Sequence, residues 1–458
     1  MKKVVLIITA FFCAGLAFAD YNSMGIPDSA EIRKQITESW ITAPINELRA
    51  KNPELHENDA REIFQVRMEE GAENVAIIVS PQSFLKMDII KNNVNSSVEM
   101  AVYPEGAPGS WVLYREKKTG KAVRMVWYFN SDAGIYIQFV PEGNKVFADL
   151  IVYNSFAARA VPVGVTFARL CTSSFGEVKR WTSKTIPWDK VKVIPTQYHE
   201  TLQMVHTIRE KLPLMDYAED VCYSQDGKLY SILTNKPYMV LNEDGEYVEP
   251  EENGRLTLSS AGFVKWIVDG IVSPYTEKGT DIAYLVHQTV DFNPVGRNGI
   301  ISQENSLTFY LDWVRNLASA AISARHGKTF SHKDGGVDVN IRPFSGKLVN
   351  GTIVKSAGYI PDTGYEIAEL KSLLYILAAT EPSYFYLGAV KKFSKVAKNE
   401  FVFADTFAVF PYFDDTGRFD CFVFTRGAEL SLEDFVSQNE DCFIHLERVR
   451  ATDYFFPR

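Results

Sequence analysis

Between residues 75 and 167 the chain breaks into seven short runs rich in β-branched and aromatic residues: 75–79, 98–103, 111–114, 122–128, 135–140, 146–153 and 161–167. Turn signals such as Lys118-Thr119-Gly120, Asp132-Ala133-Gly134 and Glu142-Gly143-Asn144 separate several of them. Many short strands at this spacing predict an antiparallel sandwich or barrel. The run Met125-Val126-Trp127-Tyr128-Phe129 is apolar on both alternating sets of positions, which marks a central strand. The aromatic supply, 30 Phe, 22 Tyr and 7 Trp, is enough for a large core.

The flanks read differently. Asp28 with Glu31 three residues later forms a capping-box start, and Ile32, Ile36 and Trp40 follow on one face. Ile63, Phe64 and Met68 predict a second helix beginning at Asn58, so 20–72 reads as a helical lead and 73–195 as the β domain. After a stretch mixing Pro and charge, with one helix over 198–212, the pattern becomes α+β. Helices are predicted at 260–271, 306–323 and 364–379, the last behind a Thr363–Glu366 capping box. Strands follow at 384–390, 401–403, 406–412, 419–424 and 443–449, with a hairpin turn at Asp414-Asp415-Thr416-Gly417. The expected fold class is α+β: N-terminal helices, an antiparallel sandwich-like domain, and a C-terminal α+β domain over 196–458.

Lys2 and Lys3, the apolar run 4–16 and the small-x-small site Ala17-Phe18-Ala19 have the layout of a secretory signal peptide over 1–19. They predict a periplasmic or secreted protein. No other segment approaches the roughly 20 apolar residues of a membrane helix. The formal charge is −9, and about −11 without the two leader lysines, which disfavours nucleic acid and anionic membrane surfaces as partners. Cys171, Cys222, Cys421 and Cys442 remain after the leader and allow three disulfide pairings or none. There is no CxxC, zinc spacing, Walker loop or Rossmann fingerprint, so no cofactor or metal is expected.

The most specific motif is Ser259-Ser260-Ala261-Gly262-Phe263-Val264, a loop that delivers a small polar residue to the first turn of an apolar helix. Thiol hydrolases place their nucleophile at such a point, because the helix N-terminus stabilises a thiolate. The stretch resembles the Asp-Cys-Ser-Gly-Phe-Val of NlpC-type, papain-like cell-wall peptidases. Gly262, Phe263 and Val264 match, and Ser260 stands at the nucleophile position. The family's base is a histidine at the start of a strand. The matching run is Asp405-Thr406-Phe407-Ala408-Val409-Phe410, so Thr406 or Phe407 would hold the base position. Neither accepts a proton at neutral pH. The resemblance therefore implies a papain-like domain that has lost its catalytic pair.

A serine hydroxyl needs an adjacent general base to act as a nucleophile. His326 and His332, in a run 325–334 that reads as an exposed loop, are the alternative bases, and with Asp334 and Asp338 an alternative metal set. The bland reading of Ser259 and Ser260 is a helix N-cap. His445 is expected to point outward from its strand. Asp312 and Glu304, or Glu366 and Glu369, read as solvated helix faces. The leading expectation is a secreted envelope protein whose degenerate hydrolase-like domain binds peptidoglycan peptide or an envelope partner. The alternatives are an active cell-wall hydrolase using Ser260 with a loop histidine, and a non-enzymatic interaction protein whose aromatic-rich β domain carries its contacts.

Overall fold

The computed structural model describes residues 25–91, 94–250, 254–290, 307–394 and 400–458. The signal-peptide reading lies outside them. The fold is α+β, with antiparallel sheets in both of two compact units, Met1–Trp188 and Asp189–Arg458. Among the described residues no helix is long and apolar enough to cross a membrane.

The first unit opens with two short helices, α1 (Ala30–Gln35) and α2 (Ile45–Arg49). Ten strands follow: β1 (Glu54–Glu57), β2 (Ile63–Glu70), β3 (Asn74–Pro81), β4 (Ser83–Lys91), β5 (Val94–Val102), β6 (Trp111–Glu116), β7 (Ala122–Tyr128), β8 (Ile135–Glu142), β9 (Lys145–Val152) and β10 (Ser155–Pro162). Eight of them form an antiparallel run in the order β1-β2-β3-β6-β7-β8-β9-β10, while β4 and β5 make a separate hairpin. The helix expected from Asn58 is instead strand β2. Phe64 and Val66 alternate into the core, and the run pairs along its length with β3. A period of two at 64 and 66 outweighs the looser helical spacing. The expected strand at 161–167 ends at Pro162, because Thr166 caps helix α3 (Phe167–Thr172). Helix α4 (Phe175–Thr182) begins in a capping box of Ser174 and Glu177.

Arg33 of α1 is completely buried in this unit. Its guanidinium donates to the carbonyls of Cys171 and Ser173, both at 2.7 Å, and to Ser29 Oγ at 3.0 Å. It also lies over the Trp127 ring at 4.6 Å. The side chain thus ties the α3–α4 corner to the first helix and the sheet.

In the second unit α5 (His199–Lys211) and a short strand β11 (Val221–Tyr223) precede α6 (Ser260–Thr276), α7 (Ile282–Leu285), α8 (Phe309–His326) and α9 (His332–Gly335). The main sheet contains β12 (Tyr365–Glu366), β13 (Tyr384–Ser394), β14 (Glu400–Phe413), β15 (Phe419–Thr425), β16 (Ala428–Leu430) and β17 (Phe443–Arg450). Its order is β12-β17-β13-β14-β15-β16, antiparallel throughout. One face buries Phe385, Leu387, Ala389, Ala408 and Phe410 against α6 and α8. Helices α10 (Leu370–Thr380) and α11 (Leu432–Gln438) also pack on the sheet, and Phe407 meets Phe435 of α11. The helix expected at 364–379 starts at Leu370 after a single 3₁₀ turn, because Tyr365 and Glu366 are drawn into the sheet by pairing with β17. Cys171, Cys222, Cys421 and Cys442 are buried free thiols.

Candidate functional site

Ser260 is the first residue of α6, and that helix packs on β14. The start of the helix is closed, however. Ser259, not Ser260, is the N-cap: its Oγ accepts from Gly262 N at 3.0 Å and donates to the Val221 carbonyl at 2.8 Å. A Cβ on Gly262 would lie 2.3 Å from that carbonyl, so β11 backbone covers the first turn directly. Ser260 is buried, and the polar side chain facing it is the Tyr310 phenol, itself raised in pKa mainly by burial.

None of the expected bases serves this hydroxyl. Among the described residues no histidine hydrogen-bonds Ser260. His326 ends α8 and lies against Phe330, and His332 begins α9. Phe407 faces away from α6: its ring packs on Phe435 and fills the space over Gly388, where a Cβ would lie 2.2 Å from it. Thr406 alternates onto the α6–α8 side with Ala408 and Phe410, and its buried Oγ1 has no partner. Neither Thr406 nor Phe407 offers a basic side chain to the start of α6.

The imidazole on this face of the sheet comes from another strand. Register places Thr406 opposite Ala389 and Ala389 opposite His445, so the three cross the sheet in one row. His445 was expected to point outward, yet it is fully buried, as is Glu447 two residues on. The reason is that both faces of β17 are covered, so alternation exposes neither set. His445 Nδ1 meets Glu447 Oε1 at 2.7 Å, and its Nε2 meets the Tyr359 hydroxyl at 3.0 Å. Arg315 of α8 brings Nη2 within 3.4 Å of the same Nε2.

Backbone pairing sets the remaining members. Val339 N donates to the Leu446 carbonyl and Arg448 N to the Val337 carbonyl, which places Asp338 across from Glu447. Asp338 then receives Arg315 Nη2 at 2.7 Å and Nε at 3.1 Å, and Arg315 Nη1 reaches Asp362 at 2.9 Å. Gly364 (φ +93°) lets the 359–364 segment approach β17, where a Cβ would lie 1.8 Å from the Ile444 carbonyl. On the same helix Asp312 accepts from Thr289 and Thr308, and Asn316 donates to the Leu285 and His287 carbonyls.

The electrostatics follow from burial. Burial, then the Arg315 charge, holds His445 well below its ordinary value. Burial, then the Asp338 charge, pushes the Glu447 carboxyl well above its own, with Arg315 opposing. The Tyr359 phenol is pushed up to about 12, by burial first and then by Asp338. Two donors converge on Nε2, from Arg315 and Tyr359, which assigns the Nδ1–H tautomer that donates to Glu447. Glu447 Oε2 is buried with no partner.

Asp338, His445 and Glu447 carry donor atoms within 4.8 Å of one another, a spread that could hold a metal ion. Two features oppose that use. Glu447 and Asp338 approach opposite nitrogens of the ring, and the Arg315 guanidinium already stands as the cation against Asp338. The set reads as a hydrogen-bonded charge network running from the half-buried Tyr359 phenol to an interior carboxylate.

Of the residues singled out in the sequence, Asp338 and His445 belong to this network, His445 against its expected outward orientation, with His332 close enough to feel the charges of Arg315 and Asp338. Asp312 and Glu369, read as solvated, are buried; Glu304 lies outside the described residues. Sequence reading missed Arg315, Tyr359, Asp362 and Glu447. The sequence carried no signal for them on α8: Asp312, Arg315, Asn316 and Ser319 share one stripe opposite the apolar residues, where a solvated face would also place them, and the structure buries that stripe.

The model of a domain of unknown function (DUF8515) matches residues 22–190. That span corresponds to the first unit and leaves the Arg315 network outside it. No curated protein and no solved structure matches the chain.

Proposed function

We propose that this is a secreted cell-envelope protein whose second unit is a hydrolase-like domain that binds peptidoglycan peptide, or an envelope protein, without cutting it. The observation that carries the reading is the state of Ser260. Its helix packs on β14, but the hydroxyl is buried, faces a phenol and, among the described residues, has no hydrogen-bonded imidazole. A serine in that setting packs; it does not attack. The test is a digest of purified sacculi with the mature protein. Retention on the sacculi with no soluble muropeptides supports the reading, and muropeptides lost in Ser260→Ala overturn it.

A second reading is favoured by the hydrogen-bonded series Tyr359–His445–Glu447. A hydroxyl, a base and an orienting carboxylate in contact are the parts of an acid–base centre. In this reading the second unit acts on its ligand through Tyr359. Muropeptides released by wild type and by Ser260→Ala, but not by Tyr359→Phe, would establish it.

A further inference from the structure

A cavity of about 140 Å³ opens beside the charge network, between the C-terminal half of α8 and the end of β17. Its floor is apolar, from Ile271, Ala318, Ala321 and Val337. Its charged lining is cationic: Arg325, Arg448 and Arg450, with His326 and Tyr384 as the other polar side chains. Among the described residues no carboxylate lines it. This is unusual in a chain with 57 acidic and 48 basic residues, where a lining drawn from the average surface would be acidic.

The three arginines are not equivalent. Arg448 is committed, with Nε on Glu381 at 2.7 Å and Nη1 on the Asp338 carbonyl. Arg325 reaches only the Ala451 carbonyl, at 3.5 Å. The Arg450 side chain, on a residue opposite Tyr384 in the sheet register, has no hydrogen bond or ion pair among the described residues. Two arginines on the lining of one cavity thus lack a carboxylate partner among the described residues, which leaves the cavity wall with uncompensated positive charge that favours an anion. Guanidinium favours carboxylate, which it can bind with two parallel hydrogen bonds. The volume compares with the cavity of about 150 Å³ that accepts a benzene-sized group.

We infer that this cavity is a binding site for a peptide C-terminus: the free carboxylate on Arg325 and Arg450, and a small apolar terminal side chain on the floor of Ala318 and Ala321. The inference deepens the binding reading above and rests on it for the origin of the peptide. The stem peptides of a cell wall end in such a group.

The experiment is isothermal titration of the mature full-length chain with N-acetyl-D-alanyl-D-alanine, its C-terminal amide, and isobutyrate. The expected result is binding of the acid, weakened by rising salt and lost in the amide. Isobutyrate should bind more weakly than the peptide acid; equal binding would make the site one for free carboxylates and overturn the peptide assignment. Arg325→Ala and Arg450→Ala should each weaken the acid at least about tenfold, the scale of one charge-assisted hydrogen bond. Both side chains reach solvent, so thermal unfolding of the variants should match wild type. No heat with the acid at millimolar concentration, equal binding of the amide, or unchanged binding in both variants would overturn the site. Sacculus binding separates this outcome from the broader reading. An Arg325→Ala/Arg450→Ala double variant still held by sacculi defeats the cavity alone. A wild-type protein that binds the acid but ignores sacculi defeats the envelope reading alone.

Discussion

Each unit buries an arginine, and the two are satisfied in opposite ways. Arg33 in the first unit spends its donors on backbone carbonyls and a serine, with Trp127 against its face and Asp28 only at 3.5 Å. Burial lowers its pKa to about 10. Arg315 in the second unit sits between two carboxylates and an imidazole; burial lowers its pKa, but pairing with Asp338 more than offsets this and holds it above its ordinary value. A guanidinium fixed mainly by carbonyls, with one carboxylate only at the edge of hydrogen-bonding range, has one arrangement and works as a staple. One fixed by Asp338, Asp362 and the His445–Glu447 pair sits in a field that changes with every proton and every ion that enters. The first pattern belongs to architecture and the second to a site.

The comparison can be broken by mutation. Arg33→Ala should have the largest effect, roughly 3–5 kcal/mol, because it strands two buried carbonyls and removes the ring contact. Chemical denaturation should show an earlier midpoint at an unchanged slope. Arg33→Lys should rescue little, since an ammonium cannot span the same fork. Arg315→Ala should cost about 2–3 kcal/mol, and Asp338→Asn should recover part of that loss in the double variant, because the damage is an uncompensated charge. Equal recovery of Arg33→Ala by Asp28→Asn would erase the distinction between the two centres.

The network also predicts a pH signature. His445 is held neutral, well below its ordinary value of 6.5. Below about pH 6.5 the unfolded chain then binds more protons than the folded one, so stability falls as pH falls through that value. Glu447, held above its ordinary 4.5, has the opposite sign: its contribution falls as pH rises above that value. His445→Gln removes the first effect and keeps the second. Acidification from pH 7 to pH 5 should therefore cost the variant less stability than wild type, followed by thermal unfolding. Parallel pH profiles would show that His445 is not held as the geometry implies.

The outline of the fold was legible because its signals are local. The runs at 111–114, 122–128 and 135–140 alternate and end in turns, and they appear as strands β6, β7 and β8. Helices α5, α6 and α8 carry apolar stripes at helical spacing and appear within a few residues of their expected ends. Errors came where long-range pairing overrode local preference. Residues 63–70 join a sheet, and Tyr365 and Glu366 are captured by a strand some 80 residues away in sequence. The site was less legible for the same reason. Arg315, Asp338, Tyr359 and His445 come from four separate segments, and only the register of β17 brings them together. His445 could not be oriented from alternation alone, because both faces of its strand are covered.

The smallest expected effects sharpen the account of the helix start. Ser259→Ala should cost about 1 kcal/mol as a lost N-cap, and Ser260→Ala less than that. Thr406→Val should be neutral or slightly stabilising, since it removes a buried hydroxyl with no partner. A large loss in Ser260→Ala, with Ser259→Ala silent, would reverse the roles assigned to the two serines.

The measurement closest to the central claim is active-site labelling. Native protein is treated with a fluorophosphonate probe and the peptide containing Ser260 is examined by mass spectrometry. With a buried hydroxyl and no imidazole to take its proton, the peptide should come back unmodified while a serine hydrolase in the same tube is labelled. A stoichiometric adduct on Ser260 would contradict the claim.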